Sequence, residues 1–540
     1  MKTPLRLLIL LLMVTSWSNP DSFMPIGVEY AETKKDLVVD EYFGIKVPDN
    51  YRWLEDDRSE ETGAWVKNQN ETTFGFLNQI PFYESVRKRY DEISNFEKYS
   101  YLRSEYRLAL PIKKNGKTYY FKNSGIQNHA VLYAVNDNNG EETVVLNPNT
   151  FSADGTTSIS DIAFSPSGKY MAYSISEGGS DWRKIIVLDA ATLKQVGDTV
   201  MDAKFTSIHW NGEEGFFYSS YDKPVGSELS AMTDKHKVYY HKLNTKQSED
   251  ELVFGKDKEK RRYVDLLTFD KSDYLFLWAA ESTTGNELSI KKKSDKQFVT
   301  VVEGFENDHV ILHAEGEDFY VFTNYNAPNG RIMKGSIAKA GKEKWVEVVN
   351  EVKESIESVS YAGGHIFIHY LKDAVSVVKE YELNGELVGE VKLPGIGSVA
   401  GFYGGEDDSE IFYSFETFTS PFAIYTLNKE TGESKIFRKS ELKIDTDIFE
   451  TKQVFYTSKD GTKVPMFIVA KKGVKLDGNN PTLLYGYGGF NVSLPPYFSL
   501  RWLTWLDMGG VFALANLRGG GEYGEEWHKA GTQMQKQNVF

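Results

Sequence analysis

The sequence predicts a seven-bladed β-propeller inserted into an α/β domain. Three observations carry this: residues 98–444 show almost no 3.6-residue apolar periodicity, a hairpin-like pattern recurs within them, and both flanks read differently. The recurring unit is an alternating run, a polar turn holding Gly or Asp, and an aromatic-rich run. It occurs at 108–121, 162–173, 208–218, 266–278, 310–322, 359–370 and 399–415. Starts fall roughly 40 to 60 residues apart, the length of a four-stranded blade. Radial repetition suits so many strands, because each short sheet packs on its neighbours and few edges stay open. A pair of β-sandwiches would need no repeat of this period.

The flanks follow in chain order. At the start, Lys2 and Arg6 precede an apolar run over residues 7–14, followed by small residues, which is the pattern of a signal peptide over residues 1–20. That run falls well short of the roughly twenty residues that span a bilayer, as does every later apolar run. Residues 28–97 form a helical arm, with Trp65, Val66, Thr73 and Leu77 expected on one face of a helix over residues 60–77. After residue 444, two strand-like runs flank Asp460-Gly461, a hairpin signal. Two continuous apolar runs at 481–485 and 510–516 then read as buried strands, with room for a helix between them.

Composition removes whole classes of function. A chain of 540 residues is too long for one small binding module. Its 62 basic and 77 acidic residues leave a net charge of −15, which provides no global field for nucleic acid. The absence of Cys excludes disulfides, thiolate metal sites and a cysteine nucleophile.

Four motifs bear on chemistry. Gly519, Gly521 and Gly524 imitate a dinucleotide fingerprint after a strand, but the acidic partner expected about twenty positions on would fall past Phe540. Arg518 and Glu522 beside the glycines favour a conformationally demanding turn instead. His309 with His313, and His365 with His369, are four apart in strand-like runs without the glutamate of a zincin, so they read as core or solvated histidines. No metal or other cofactor is implied. The loop at 485–491, Tyr-Gly-Tyr-Gly-Gly-Phe-Asn, follows a buried strand, and its glycines would expose aromatic side chains at the sheet end where α/β folds bind ligands. A tyrosine hydroxyl there could serve an oxyanion, or the loop could be a purely structural aromatic turn.

Together, residues 485–491, 509–528 and Lys536-Gln537-Asn538 strongly resemble prolyl oligopeptidases, as do residues 40–56, Gly179-Ser180-Asp181-Trp182 and residues 457–469. The resemblance extends over residues 28–540. It implies a seven-bladed propeller over residues 98–443, inserted into an α/β-hydrolase domain made of the arm at 28–97 and residues 444–540. It also implies a monomeric serine endopeptidase that cleaves proline-containing oligopeptides on the carboxyl side of proline, with the propeller restricting large substrates. By the same resemblance Tyr487 helps bind the oxyanion and Phe490 lines the proline pocket. The Tyr-Gly-Tyr-Gly-Gly-Phe spelling points to the proline-specific branch rather than to relatives specific for basic residues. An acidic pair for releasing dipeptides cannot be placed.

One departure is large. An α/β hydrolase orders Ser, Asp and His, with Ser on a Gly-x-Ser-x-Gly elbow, and no such elbow occurs in these 540 residues. The expectation is therefore a fragment of a longer enzyme, inactive as written, exported to the periplasm or secreted, with an incompletely covered sheet prone to aggregate. The alternative is a non-catalytic propeller protein that binds peptides or a partner.

Overall fold

The computed structural model describes residues 28, 30–57, 59–100, 102–103, 108–109, 111–222, 233, 235–255, 263–339 and 341–540. The expected signal peptide and the charged run at 256–262 lie outside them. The described residues divide into two bodies, one running up to Lys88 and the other starting at Arg89.

In the first body, a hairpin of Val39–Tyr42 and Ile45–Pro48 precedes a helix at Glu60–Leu77. Ser59 caps that helix, its hydroxyl accepting the Thr62 N–H at 3.1 Å. The face differs from expectation. Thr62, Trp65, Gln69, Thr72 and Phe76 are at least half buried, whereas Val66 and Thr73 are exposed. Steps of three and four residues define one stripe, and Val66 and Thr73 each stand one residue, or about 100°, off it. Trp65 anchors the stripe by donating to the Thr33 hydroxyl at 3.0 Å.

The second body holds the propeller. Seven antiparallel sheets follow one another over 98–146, 158–204, 209–254, 263–302, 309–349, 355–390 and 398–439, each built from contiguous sequence. Alternation within a strand serves two neighbours at once. In the second blade, Met171 and Tyr173 join a cluster with Tyr119 and Phe121 of the first, while Ala172 between them joins Trp210 and Phe216 of the third. The ring closes by packing, with Tyr99 and Tyr120 of the first blade against Phe412 and Ile424 of the seventh.

In six blades the repeat seen in the sequence is the innermost pair of strands. Outer strands such as Val299–Val302 and Leu387–Glu390 are largely exposed and carry a weaker apolar signal. The first blade departs from expectation. Its innermost strand is Lys98–Ser100, paired with Lys117–Asn123, and Ile112–Lys114 is a side strand on the latter. Three residues are too few to display alternation.

The α/β portion is a four-stranded sheet in which the second strand of the chain lies between the first and the fourth, and the third lies outermost. Phe449–Thr457 and Lys463–Lys471 form the expected hairpin, closed by the Ser458 and Gly461 N–H groups donating to Thr462 and Ser458 carbonyls at 2.8 and 2.9 Å. Thr482–Gly486 and Val511–Ala515 run parallel, joined through a helix at Leu500–Asp507. Phe467, Val469, Phe512 and Leu514 are fully buried against Leu503 and Leu506 of that helix, and Trp502 stacks on Phe512 at 4.4 Å. The seventh blade contributes Phe418 to the same core, 5.5 Å from the Phe467 ring. Leu483 and Leu484 of the outermost strand are exposed, one on each face of the sheet.

Candidate active site

The parallel register builds the site. Pairing Gly486 with Ala515 brings the ends of two strands side by side, so the loops that follow them, 487–491 and 516–524, leave the same end of the sheet. The glycines decide how closely these loops approach. Gly488 has φ +65 and Gly519 φ +93, and a Cβ on Gly519 would meet the Gly488 carbonyl oxygen at 2.5 Å. The Asn491 N–H donates to the Gly519 carbonyl at 3.1 Å, and Lys536 Nζ donates to the Gly488 carbonyl at 2.9 Å.

Tyr487 and Phe490 are therefore presented by packed backbone. Both side chains stand in the open, 47% and 67% exposed, with ring centroids 6.4 Å apart and planes tilted by 36°. Phe490 and Asn491 have φ of +55 and +59, left-handed values that non-glycine residues adopt at a cost of roughly 1–3 kcal/mol each. Strain of this kind persists where the surroundings over-determine it, and here the neighbouring loop does so.

Gly519, Gly521 and Gly524 are a packing turn. Space for a Cβ on Gly521 is taken by the Asn491 carbonyl and the Ser493 hydroxyl, each at 2.9 Å, so chain atoms fill the place a phosphate would occupy in a dinucleotide site. Arg518, only 6% exposed, donates Nη1 to Asp460 and Nη2 to the Ser458 hydroxyl at 3.0 Å, which ties the turn to the tip of the hairpin. The guanidinium and the Thr462 amide hold the Asp460 carboxyl down to about 2. Glu522 is buried, and its Oε1 accepts the Leu494 N–H at 3.0 Å and Asn516 Nδ2 at 3.2 Å. Burial pushes its carboxyl up to about 7.

The histidines singled out in the sequence are structural. His309 is buried with its ring at 3.1 Å from the Asn307 carbonyl, His313 stacks on Tyr361 at 4.0 Å, His365 meets Glu380, and His369 lies 2.8 Å from the Ser376 hydroxyl. Burial pushes His309 and His369 down to about 4. Among the described residues no three His, Asp or Glu are grouped to hold a metal. Sequence reading singled out Tyr487, Phe490, Arg518 and Glu522 but missed the partners that hold the turn, namely Asp460 and Ser458 for Arg518 and Asn516 for Glu522. The available signal was a buried-strand context around charged residues that an exposed loop would not need.

A seven-bladed propeller packed on an α/β sheet with an aromatic loop at its strand ends defines a propeller-bearing hydrolase. The matching families are "Prolyl oligopeptidase, N-terminal beta-propeller domain" over residues 30–440 and "Prolyl oligopeptidase family" over residues 496–540. The prolyl endopeptidase of Elizabethkingia meningoseptica is 48% identical over 515 residues, spanning 95% of this chain and 72% of that protein. That of Dictyostelium discoideum is 30% identical over 589 residues, spanning 95% and 76%. A prolyl endopeptidase structure superposes with a TM-score of 0.86 at 35% identity, covering 95% of this chain and 74% of that one. Prolyl oligopeptidase B from Galerina marginata bound to a 25mer macrocyclization substrate gives 0.84 at 28%, covering 94% and 75%. The chain belongs to the prolyl oligopeptidase family.

Proposed function

We propose that this protein is a serine-type endopeptidase that hydrolyses oligopeptides after proline, with Tyr487 donating to the oxyanion and Phe490 walling the proline pocket. The single observation that carries this is the loop 487–491, which holds both rings outward at the end of the parallel strands by left-handed backbone locked against Gly519. A flat aromatic suits a pyrrolidine ring, and a phenol hydroxyl is a donor a developing oxyanion can use. No Gly-x-Ser-x-Gly elbow occurs in these 540 residues, so what they supply to the reaction is oxyanion binding, proline recognition and the propeller. The enzyme acts as a monomer on peptides small enough to pass the propeller, and the Lys2 and Arg6 leader directs its export.

The test is to express the protein from its complete native reading frame, incubate it with a peptide of about thirty residues holding several internal prolines, and read the products by mass spectrometry. Cleavage confined to Pro-x bonds supports the proposal. A folded protein that cleaves nothing, or cleaves after basic residues, contradicts it. N-terminal sequencing of the mature protein decides export.

A further inference from the structure

The site loop runs straight into residues 493–498, Ser-Leu-Pro-Pro-Tyr-Phe, and this segment is held from both sides by carboxyl groups. The Ser493 hydroxyl donates to Glu357 Oε2 of the sixth blade at 2.7 Å, the Leu494 N–H to Glu522 Oε1 at 3.0 Å, and the Phe498 N–H to Glu416 Oε2 of the seventh blade at 3.1 Å. Two carbonyls complete the attachment, with Ser398 Oγ donating to Pro496 and Asn516 Nδ2 donating to Leu494 at 2.8 Å. Two consecutive prolines stiffen the segment between its fixed points. It is thus a strap, gripped at its start by the glycine turn and blade six and at its end by blade seven.

We propose that Glu522 and Glu416 are positioning residues that hold this strap and thereby set where Phe490 meets the peptide. The inference rests on the post-proline reading of the site. Leu494 lies four residues past Phe490, and the Gly519 carbonyl that takes the Asn491 N–H belongs to the same turn as Glu522, so one element holds both the strap and the loop that carries Phe490.

The setting of the two carboxyls makes the grip sensitive to proton uptake. Burial pushes both up to about 7, and Glu522 Oε2 has no hydrogen-bond partner among the described residues. The groups facing Glu522 are the Glu357 carboxylate and the Tyr523 phenol, which donates to Asp373 at 2.9 Å. Facing Glu416 is the Tyr497 phenol. The basic side chains on neighbouring elements are directed elsewhere: Arg518 to Asp460, Lys536 to the Gly488 carbonyl and His528 to the Gly519 carbonyl. Ionising a carboxyl in that shell is relieved by letting the strap away and water in.

The experiment compares the protein from its complete native reading frame with Glu522→Gln, Glu416→Gln and Glu522→Ala. A post-proline p-nitroanilide peptide gives KM and kcat from pH 5.5 to 8.5, and amide exchange of residues 492–499 is followed at pH 6. The expected results are a wild-type KM that rises severalfold between pH 6 and 8, a flatter profile in each Gln variant with KM at pH 6 within about threefold of wild type, and a roughly tenfold higher KM with faster strap exchange in Glu522→Ala. A flat wild-type profile, or variants that melt earlier yet keep wild-type KM and strap exchange, would overturn the proposal. If Glu522→Ala does not fold, the Gln profiles decide. If the wild type cleaves no Pro-x bond, the post-proline reading fails, and exchange alone then decides the strap, unchanged protection in Glu522→Ala overturning it.

Discussion

Gly519 and Gly488 sit back to back, with space for a Cβ on Gly519 ending 2.5 Å from the Gly488 carbonyl oxygen. The two loops that form the site can be this close only because neither residue carries a side chain. Gly519→Ala must strain a backbone at φ +93 and push Gly488 aside, a destabilisation of at least about 2 kcal/mol. Gly63→Ala is the contrast, since Gly63 lies in a helix with nothing within 4 Å of its Cβ position, and should be neutral or stabilising by up to about 1 kcal/mol. Denaturant melts of the two variants check this.

Phe490 combines strain with exposure, so its removal should separate stability from binding. Phe490→Gly relieves a left-handed φ of +55 and uncovers little, the ring being 67% exposed. The expected result is an unchanged or higher melting temperature together with a KM for post-proline peptides raised about tenfold or more. A core role would show the reverse, a lower melting temperature at constant KM.

The pair of Arg518 and Asp460 predicts acid sensitivity. The folded carboxyl is held down to about 2, below the ordinary 3.8, so its contribution is present above about pH 4 and is lost as pH falls toward 2. Melting temperature followed from pH 5 to 2 should fall less steeply in Arg518→Ala than in wild type, from a lower starting value.

The buried carboxyls act in the opposite sense. Glu416 and Glu522 rise from 4.5 to about 7 on folding, so between those values the folded state keeps protons that the unfolded chain releases. Stability falls as pH increases through that window and levels off above about 7, by up to about 3 kcal/mol for each group. Replacing both with Gln should flatten the melting profile between pH 5 and 7.

Much of this was legible in the sequence, for definite physical reasons. The inner hairpins of the blades are buried on two sides, so alternation and aromatic content are strong there, as from 162 to 173. Outer strands such as Leu387–Glu390 face solvent and lose that signal. The short strand Lys98–Ser100 shows none. The loop 485–491 stood out because glycines around aromatics announce an unusual turn, while Tyr487 and Phe490 within it were singled out by the resemblance. Glu357 and Glu416 did not stand out, because they lie 136 and 82 residues from the Ser493 hydroxyl and the Phe498 N–H they meet, and only the packing of the propeller on the sheet unites them. The helix Glu60–Leu77 was readable as a helix, and of its four expected face residues Trp65 and Leu77 are at least half buried while Val66 and Thr73 are exposed, since its few large apolar side chains leave the phase weakly determined.

The most direct test of the central claim is Tyr487→Phe, a change that deletes one hydroxyl, assayed with a post-proline p-nitroanilide peptide in the protein expressed from its complete native reading frame. The account predicts a kcat lower by roughly 100- to 1000-fold with KM within about threefold, the pattern of a donor used only in the transition state. An unchanged kcat, or a loss confined to KM, would contradict it.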